Sequence, residues 1–297
     1  MIHHSGFAAI LGRPNAGKST LLNALLGTKL AIVASKPQTT RTSIQGVLTL
    51  PDAQIAFVDT PGIHKSNTLL NQRMMDAVRT AADAPDLVLF VIDSLAPFCE
   101  QDAQAVDLVK KTGAPAIAVL NKVDRLKEKP KLLALIDRYR AIHDFAAYVP
   151  VSALQGGGLD VLRREIVSRL PEGPKLFPDD YLTDQPERFL AAEIVREKIL
   201  HHTRQEVPHA VMVVIDSWEE TEKLVRIAAT IYVERAGQKA ILIGAGGEAL
   251  KKTGTLARQE LERVLGRKVF LQTTVKVKPD WREDPKLVGE ADWRSRL

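Results

Sequence analysis

Eight residues near the start of the chain, Gly12-Arg13-Pro14-Asn15-Ala16-Gly17-Lys18-Ser19, have the types and spacing to hold a polyphosphate. They fit G-x-x-x-x-G-K-[ST] and lie between an apolar run ending at Leu11 and a helix-like stretch opening at Lys18, the placement this motif requires. Gly12 and Gly17 let the backbone wrap close to phosphate, and the N–H groups of the loop and helix N-terminus, from Asn15 to Thr20, offer donors to anionic oxygens. Lys18 reaches the outer phosphates as a point charge, and the Ser19 hydroxyl is placed to ligate Mg²⁺.

Further motifs follow in order. Asp59-Thr60-Pro61-Gly62 ends an apolar run at Val58. An aspartate at such a strand end can hold Mg²⁺ through water, and the Gly62 N–H can reach a γ-phosphate. Between the two motifs, Lys36-Pro37-Gln38-Thr39-Thr40-Arg41-Thr42 offers a threonine to complete the Mg²⁺ shell when the γ-phosphate is present. Thr40 is the first choice and Thr39 the second. Lys18, Thr40 and Gly62 are thus the groups expected at the transferring phosphoryl.

Asn121-Lys122-Val123-Asp124 follows a third apolar run. The Asp124 carboxylate can accept from guanine N1–H and the exocyclic amine, which adenine does not offer in that geometry. An unpaired buried carboxylate is costly, so discrimination against ATP should be on the order of 10⁴-fold. Asn121 can tether the loop, the Lys122 stem can cover one base face, and Ser152-Ala153-Leu154 places the Ala153 N–H where guanine O6 could accept it. GTP and GDP are the expected ligands.

The second half carries a different signal. Gly244-Ala245-Gly246-Gly247 fits G-x-x-G after an apolar lead-in and before a basic helix with Lys251, Lys252 and Arg258. Small residues allow close approach of backbone to phosphate. Trp281, in Lys276-Val277-Lys278-Pro279-Asp280-Trp281-Arg282, could stack on a base or pack on its own domain. Net charge is +5, unevenly spread. Residues 173–236 hold eight Lys/Arg against twelve Asp/Glu, and residues 237–282 hold ten against four. The basic segment suits a polyanion.

The elements that must position these groups alternate in the first half. Strands are expected at Gly6–Leu11, Ile44–Leu50, Gln54–Asp59, Leu87–Asp93, Pro115–Asn121 and Ala147–Val151. Helices fall between them at Lys18–Leu26, Leu69–Ala82, Asp102–Lys111, Lys131–Arg140 and Leu159–Leu170. Near-continuous apolar strands separated by helices indicate a doubly wound α/β domain with a mostly parallel sheet. The pattern stops near Pro171, where Pro171, Gly173, Pro174, Pro178 and Pro186 mark a linker. An α-β-β-α-α-β order then indicates a separate, smaller α+β domain. The expected organisation is 1–171, linker 172–186, and 187–297. A single cysteine, Cys99, excludes a disulfide framework. No apolar run is long enough to cross a bilayer, so a cytoplasmic protein is expected. The histidines form no metal-binding pattern.

With these motifs in hand, the first domain looks like a translation-factor-class small GTPase. From Gly6 to about Asp292 the sequence resembles the bacterial Era family, a G domain followed by a type II KH domain. That rests on the domain order, on Gln38-Thr39-Thr40-Arg41 and on the C-terminal stretch. The resemblance implies binding of the single-stranded 3′ region of 16S rRNA in the maturing 30S ribosomal subunit, a monomeric state, and peripheral contact with the inner face of the cell membrane; intrinsic GTP hydrolysis is expected to be slow, because Ile63 cannot orient water. KH domains clamp about four nucleotides across the GXXG loop. Two departures stand out. Ile63 replaces the glutamine that orients water in Ras-like proteins, and Ala245-Gly246 stands where KH loops usually carry a basic residue between the glycines. Asn15 resembles the residue through which related GTPases coordinate K⁺ near the phosphates, so K⁺ stimulation is an expectation. Two other readings are open: an RNA-binding scaffold whose nucleotide is scarcely turned over, and a GTPase acting on tRNA modification or at the membrane surface.

Overall fold

The structure, a computed structural model, describes all residues except 1–2, 37, 63–67, 129, 204–206 and 297. The chain divides into two units. Unit 1 comprises residues 1–31, 40–66 and 73–184; unit 2 comprises residues 32–39, 67–72 and 185–297.

Unit 1 runs β1 (His4–Leu11), α1 (Lys18–Leu26), β2 (Ile44–Thr49), β3 (Ala53–Asp59), then, beyond the start of α2 (Leu69–Ala81), β4 (Leu87–Asp93), α3 (Glu100–Thr112), β5 (Ala116–Asn121), α4 (Pro130–Arg140), β6 (Ala147–Pro150) and α5 (Leu159–Val167). The strands form one sheet in the order β2-β3-β1-β4-β5-β6, parallel except for β2, which pairs antiparallel with β3. β4 and β5 are buried almost throughout because helices cover both faces, which is why they read as unbroken apolar runs. In the strand order β2 and β3 lie on one flank of β1 and β4, β5 and β6 on the other, and α/β sheets bind ligands beyond the carboxyl ends of strands at such a switch point.

Residues 172–184, expected as a linker, are bound along unit 1. Gly173 N–H donates to His3 O at 3.0 Å, and Ser5 Oγ to Pro174 O at 2.7 Å. Gln54 is fully buried; its Oε1 accepts from Leu176 and Phe177 N–H at 2.7 and 2.8 Å, and its Nε2 donates to Phe177 O at 3.0 Å. Val47 N–H donates to Leu182 O at 2.8 Å, and Thr183 Oγ1 to Gln45 O at 2.6 Å. The segment covers the exposed edge of β2, whose unpaired backbone groups would otherwise invite a foreign strand.

Unit 2 contains α6 (Glu187–His202), α7 (Val207–Ala210), β7 (Met212–Glu220), β8 (Leu224–Val233), α8 (Ala236–Ile243), α9 (Glu248–Leu265), β9 (Lys268–Val277) and α10 (Pro285–Glu290). Its sheet order is β7-β8-β9, with β7 antiparallel and β9 parallel to β8. A core built from α6, α9 and one sheet face closes over Ile194, Val195, Ile227, Ile231 and Leu261. Ile32, distant in sequence, belongs to the same core.

Candidate functional site

The loop between β1 and α1 is shaped by three positive backbone angles: Gly12 (φ 147°), Asn15 (φ 62°) and Gly17 (φ 99°). A Cβ at Gly12 would strike Val91 O of β4, and one at Gly17 would strike the Asn121 side-chain amide. Glycine is needed at both positions for conformation and for space. Gly62 also packs on this loop, where a Cβ would lie 2.7 Å from Pro14 Cα.

Below the loop, Ser19 Oγ donates to Asp59 Oδ2 at 2.6 Å and lies 2.7 Å from Thr40 Oγ1. Asp59 Oδ1 is buried and makes no hydrogen bond among the described residues. Two hydroxyls and a carboxylate with one orphaned oxygen form a hard, all-oxygen donor set that fits Mg²⁺. Thr39, the alternative, turns away, with its Oγ1 donating to Lys36 O at 2.6 Å. Lys18 is buried, and its Nζ donates to Gly12 O and Arg13 O, both at 3.0 Å. Burial lowers the Lys18 ammonium to about 8, with the Asp59 charge opposing. Burial likewise pushes the Asp59 carboxyl up to about 6, against Lys18 and the bond from Ser19.

Asn121 ties together the loops expected around a base. Its Nδ2 donates to Ala16 O at 3.0 Å, and its Oδ1 accepts from Lys122 N–H at 2.8 Å and Ala153 N–H at 3.0 Å. The Ala153 donor, expected to face guanine O6, is therefore already engaged by Asn121, and O6 would have to share it. Lys122 Nζ donates to Asn15 O at 2.7 Å and to Asp93 Oδ2 at 2.8 Å, which lays its stem along the phosphate loop. Ser152 is buried and accepts from Gln155 N–H at 3.2 Å; Asp124 and Leu154 are exposed. Ile63 lies outside the described residues.

Sequence reasoning missed Asp93 and Asp102. Asp93 sits at the carboxyl end of β4 as Asp59 and Asn121 do at theirs, and that shared position was the available signal. Asp102 binds Arg13 Nη1 at 3.1 Å and accepts from Cys99 N–H at 3.0 Å, so Cys99 opens α3 rather than serving catalysis.

In unit 2 the Gly244–Gly247 loop joins α8 to α9, with Gly244, Gly246 and Gly247 at φ 72°, 58° and 81°. Ala245 lies between them in a single 3₁₀ turn. A groove of about 370 Å³ runs beside it, lined by Gly247, Lys251, Arg258 and also Leu250, Leu271 and Thr273, which the sequence did not single out. Lys252 lines an adjoining groove on α9. Arg258 pairs with Glu262 at 2.9 Å. Trp281 corrects an expectation: it is fully buried, with Nε1 donating to Ala210 O at 2.7 Å. An indole enclosed in this way offers no face to a base, and the packing alternative is the one realised.

Comparison with known proteins now decides the family. Residues 7–122 match the family described as 50S ribosome-binding GTPase, and residues 206–282 match the KH domain. The chain is 46% identical over 296 residues to GTPase Era of Ruminiclostridium cellulolyticum, covering 99% of both chains. It is 49% identical over 288 residues to GTPase Era of Geobacter metallireducens, covering 96% of both. It belongs to the Era family of GTPases. Two solved Era structures share its architecture. A single-residue variant of Aquifex aeolicus Era bound to GDP·AlF₄⁻ gives a TM-score of 0.92 at 43% identity, covering 96% of this chain and 97% of that one. Era in complex with MgGDPNP and nucleotides 1506–1542 of 16S ribosomal RNA gives 0.93 at 42%, with the same coverage. For this Era-family chain the α-β-β-α-α-β order of unit 2 is therefore a KH domain, and the six-stranded unit a P-loop GTPase domain.

Proposed function

We propose that the chain is a GTP-hydrolysing switch that binds the 3′ region of 16S rRNA and assists maturation of the 30S ribosomal subunit. The observation that carries the enzymatic part is the placement of Thr40 Oγ1 and Asp59 Oδ2 each within 2.7 Å of Ser19 Oγ, with the orphaned Asp59 Oδ1 buried beside Lys18. Ser19, Thr40 and Asp59 would hold Mg²⁺, which when bound neutralises charge on the outer phosphates. The remaining work falls to the chain. The loop from Gly12 to Thr20 cradles the phosphates through N–H groups, Lys18 places a cation at the transferring group, and Gly62 offers its N–H to the γ-phosphate. Asp124 reads the guanine amine and N1–H, while Asn121 holds the base loops on Ala16. On the RNA side, Gly244, Ala245, Gly246 and Gly247 admit the backbone, and Lys251, Lys252 and Arg258 supply charge beside the groove. The solved Era complex with 16S rRNA nucleotides supports this choice of ligand.

RNA crosslinking in the presence of GTP, GDP or no nucleotide, paired with multiple-turnover phosphate release, tests the whole reading. Occupancy of the 16S 3′ segment that changes with nucleotide is expected; identical occupancy in all three states rejects the switch. The proposal extends to a K⁺ ion beside Asn15, and equal hydrolysis rates in Na⁺ and K⁺ buffers reject that part. It also includes a monomeric state and peripheral contact with the inner face of the cell membrane. No helix among the described residues is long and apolar enough to cross a membrane, and flotation with anionic vesicles tests surface contact.

A further inference from the structure

The segment that leads into Thr40 is held by α6. Residues 32–39 group with unit 2, and the chain passes into unit 1 between Thr39 and Thr40. Within unit 2 this segment is fastened at both ends. Ile32 is buried in the core with Ile194 and Val195. Val33 N–H donates to Glu197 Oε1 at 2.8 Å, and Val33 O meets His201 Nε2 at 2.9 Å. At the far end Arg196 Nη1 donates to Gln38 O at 3.4 Å and Nη2 donates to Thr39 O. The guanidinium is 1% exposed, and its other contacts are with the Glu193 carboxylate, at 2.7 Å from Nε and 2.6 Å from Nη2.

A guanidinium this deep is costly unless its fork of donors is matched by acceptors. Glu193 supplies two acceptor oxygens and the loop backbone two more. Arg196 therefore favours the one loop conformation that turns both carbonyls toward it, including the unusual φ of 59° at Gln38. Gln38 is held further by its Nε2, which donates to Asn71 Oδ1 at 2.9 Å. One bond along the chain, Thr40 Oγ1 must come to 2.7 Å from Ser19 Oγ. A peptide whose carbonyl is fixed leaves the next residue little freedom, so the anchor on Thr39 governs where Thr40 is presented.

We propose that Arg196 is a positioning residue for GTP hydrolysis: by binding the Gln38 and Thr39 carbonyls it sets the backbone from which Thr40 reaches the Ser19–Asp59 cluster. The assignment rests on the reading of Thr40 as a Mg²⁺ ligand. Arg196 touches no substrate and acts only through the main chain of 38–39.

The test uses the full chain and three variants, Arg196→Gln, Arg196→Lys and Thr40→Ala, titrated with GDP and with a non-hydrolysable GTP analogue at varied Mg²⁺, alongside single-turnover GTP hydrolysis. GDP binding does not need Thr40, whereas the Mg²⁺-dependent hold on a γ-phosphate does. Arg196→Gln is expected to leave GDP affinity within about twofold and to weaken the GTP analogue roughly tenfold, the size associated with losing a hydrogen bond from a charged donor. The half-saturating Mg²⁺ concentration for hydrolysis rises by a similar factor. Thr40→Ala gives the same pattern, and Arg196→Lys recovers part of the loss. Equal weakening of GDP and analogue in Arg196→Gln marks a merely structural role and overturns the proposal, as does wild-type hydrolysis. If Thr40→Ala is itself silent, the reading of Thr40 fails and this proposal falls with it. If Thr40→Ala is effective and Arg196→Gln silent, only this proposal fails. Should Arg196→Gln lose cooperative melting, Glu193→Gln loosens the guanidinium while leaving it in place. It must then show the same split between GDP and analogue, and an absence of the split overturns the assignment.

Discussion

At the residue scale, two buried groups of opposite charge dominate the nucleotide pocket, and their titrations have opposite signs. Asp59 is raised from 3.8 to about 6, so between those values the folded protein keeps a proton the unfolded chain has lost, and this group's contribution to stability falls as pH rises. Lys18 is lowered from 10.5 to about 8; between those values the folded form lacks a proton the unfolded chain keeps, and its contribution rises with pH. Mg²⁺–nucleotide binding wants the carboxylate charged and the lysine charged. Calorimetry in buffers of different ionisation enthalpy should therefore show net proton release on binding near pH 5.5 and net uptake near pH 8.5. Proton-neutral binding at both pH values would contradict the burial argument. The second residue-scale expectation concerns the base. Asp124→Asn replaces two acceptor oxygens with one acceptor and one donor, so GTP affinity should fall at least tenfold, at about 1.5–3 kcal/mol per charged hydrogen bond lost. Xanthosine triphosphate, which carries a carbonyl where guanine carries the amine, should gain in the same competition assay.

At the element scale, what the sequence showed and what it hid divide along locality. The phosphate loop, β4, β5, α9 and β9 were legible because their signals are short in range: glycine spacing, continuous apolar runs, a basic amphipathic helix after G-x-x-G. The residues before Gly244 read only as an apolar lead-in, yet they belong to α8, which begins at Ala236 with Gln238 accepting from Arg235 N–H at 3.0 Å. Binding of 172–184 along β2 was hidden because proline content marks a break but not a destination. Its anchor, Gln54, looks like any polar residue in an apolar strand. Trp281 was hidden for the same reason: a tryptophan after a basic strand is equally suited to stacking and to burial, and only the position of Ala210 decides. The grooves beside α9 give the element's prediction. Lys251 and Lys252 project from the first turn after the glycine loop and line the two grooves, with no ion pair to either among the described residues, in contrast to Arg258, which is held by Glu262. Replacing both lysines by glutamine should lower affinity for a 16S 3′ oligonucleotide. It should also flatten the slope of log K against log salt by about 0.7 per phosphate contact removed. An unchanged slope would place the phosphate contacts elsewhere.

At the scale of the whole molecule, unit 2 is not one stretch of chain: residues 32–39 and 67–72 belong to it although the chain on either side of each belongs to unit 1. The first holds Ile32 in the unit 2 core and leads directly into Thr40. The second, following the Asp59–Gly62 motif in sequence, has Leu69 N–H donating to Glu283 Oε2 at 3.2 Å and Asn71 accepting from Gln38. Residues 32–39 and the described part of 67–72 thus share the core and hydrogen bonding of unit 2. If the loops have two arrangements, nucleotide and RNA bias the same equilibrium, and the bias is reciprocal as a matter of thermodynamic linkage. The factor by which a GTP analogue, relative to GDP, changes affinity for a 16S 3′ oligonucleotide must equal the factor by which that oligonucleotide changes the preference for analogue over GDP. Typical couplings of about 1–3 kcal/mol correspond to roughly 5–150-fold, well within reach of fluorescence titration on both sides of the cycle. Truncating Ile32 to alanine loosens the hold of the unit 2 core on the loop without touching phosphate, base or RNA. It should therefore shrink both factors together while leaving GDP affinity and the RNA affinity of the GDP form nearly unchanged. A variant that shrinks one factor but not the other cannot arise from a shared loop equilibrium, and would show that the units respond to their ligands independently.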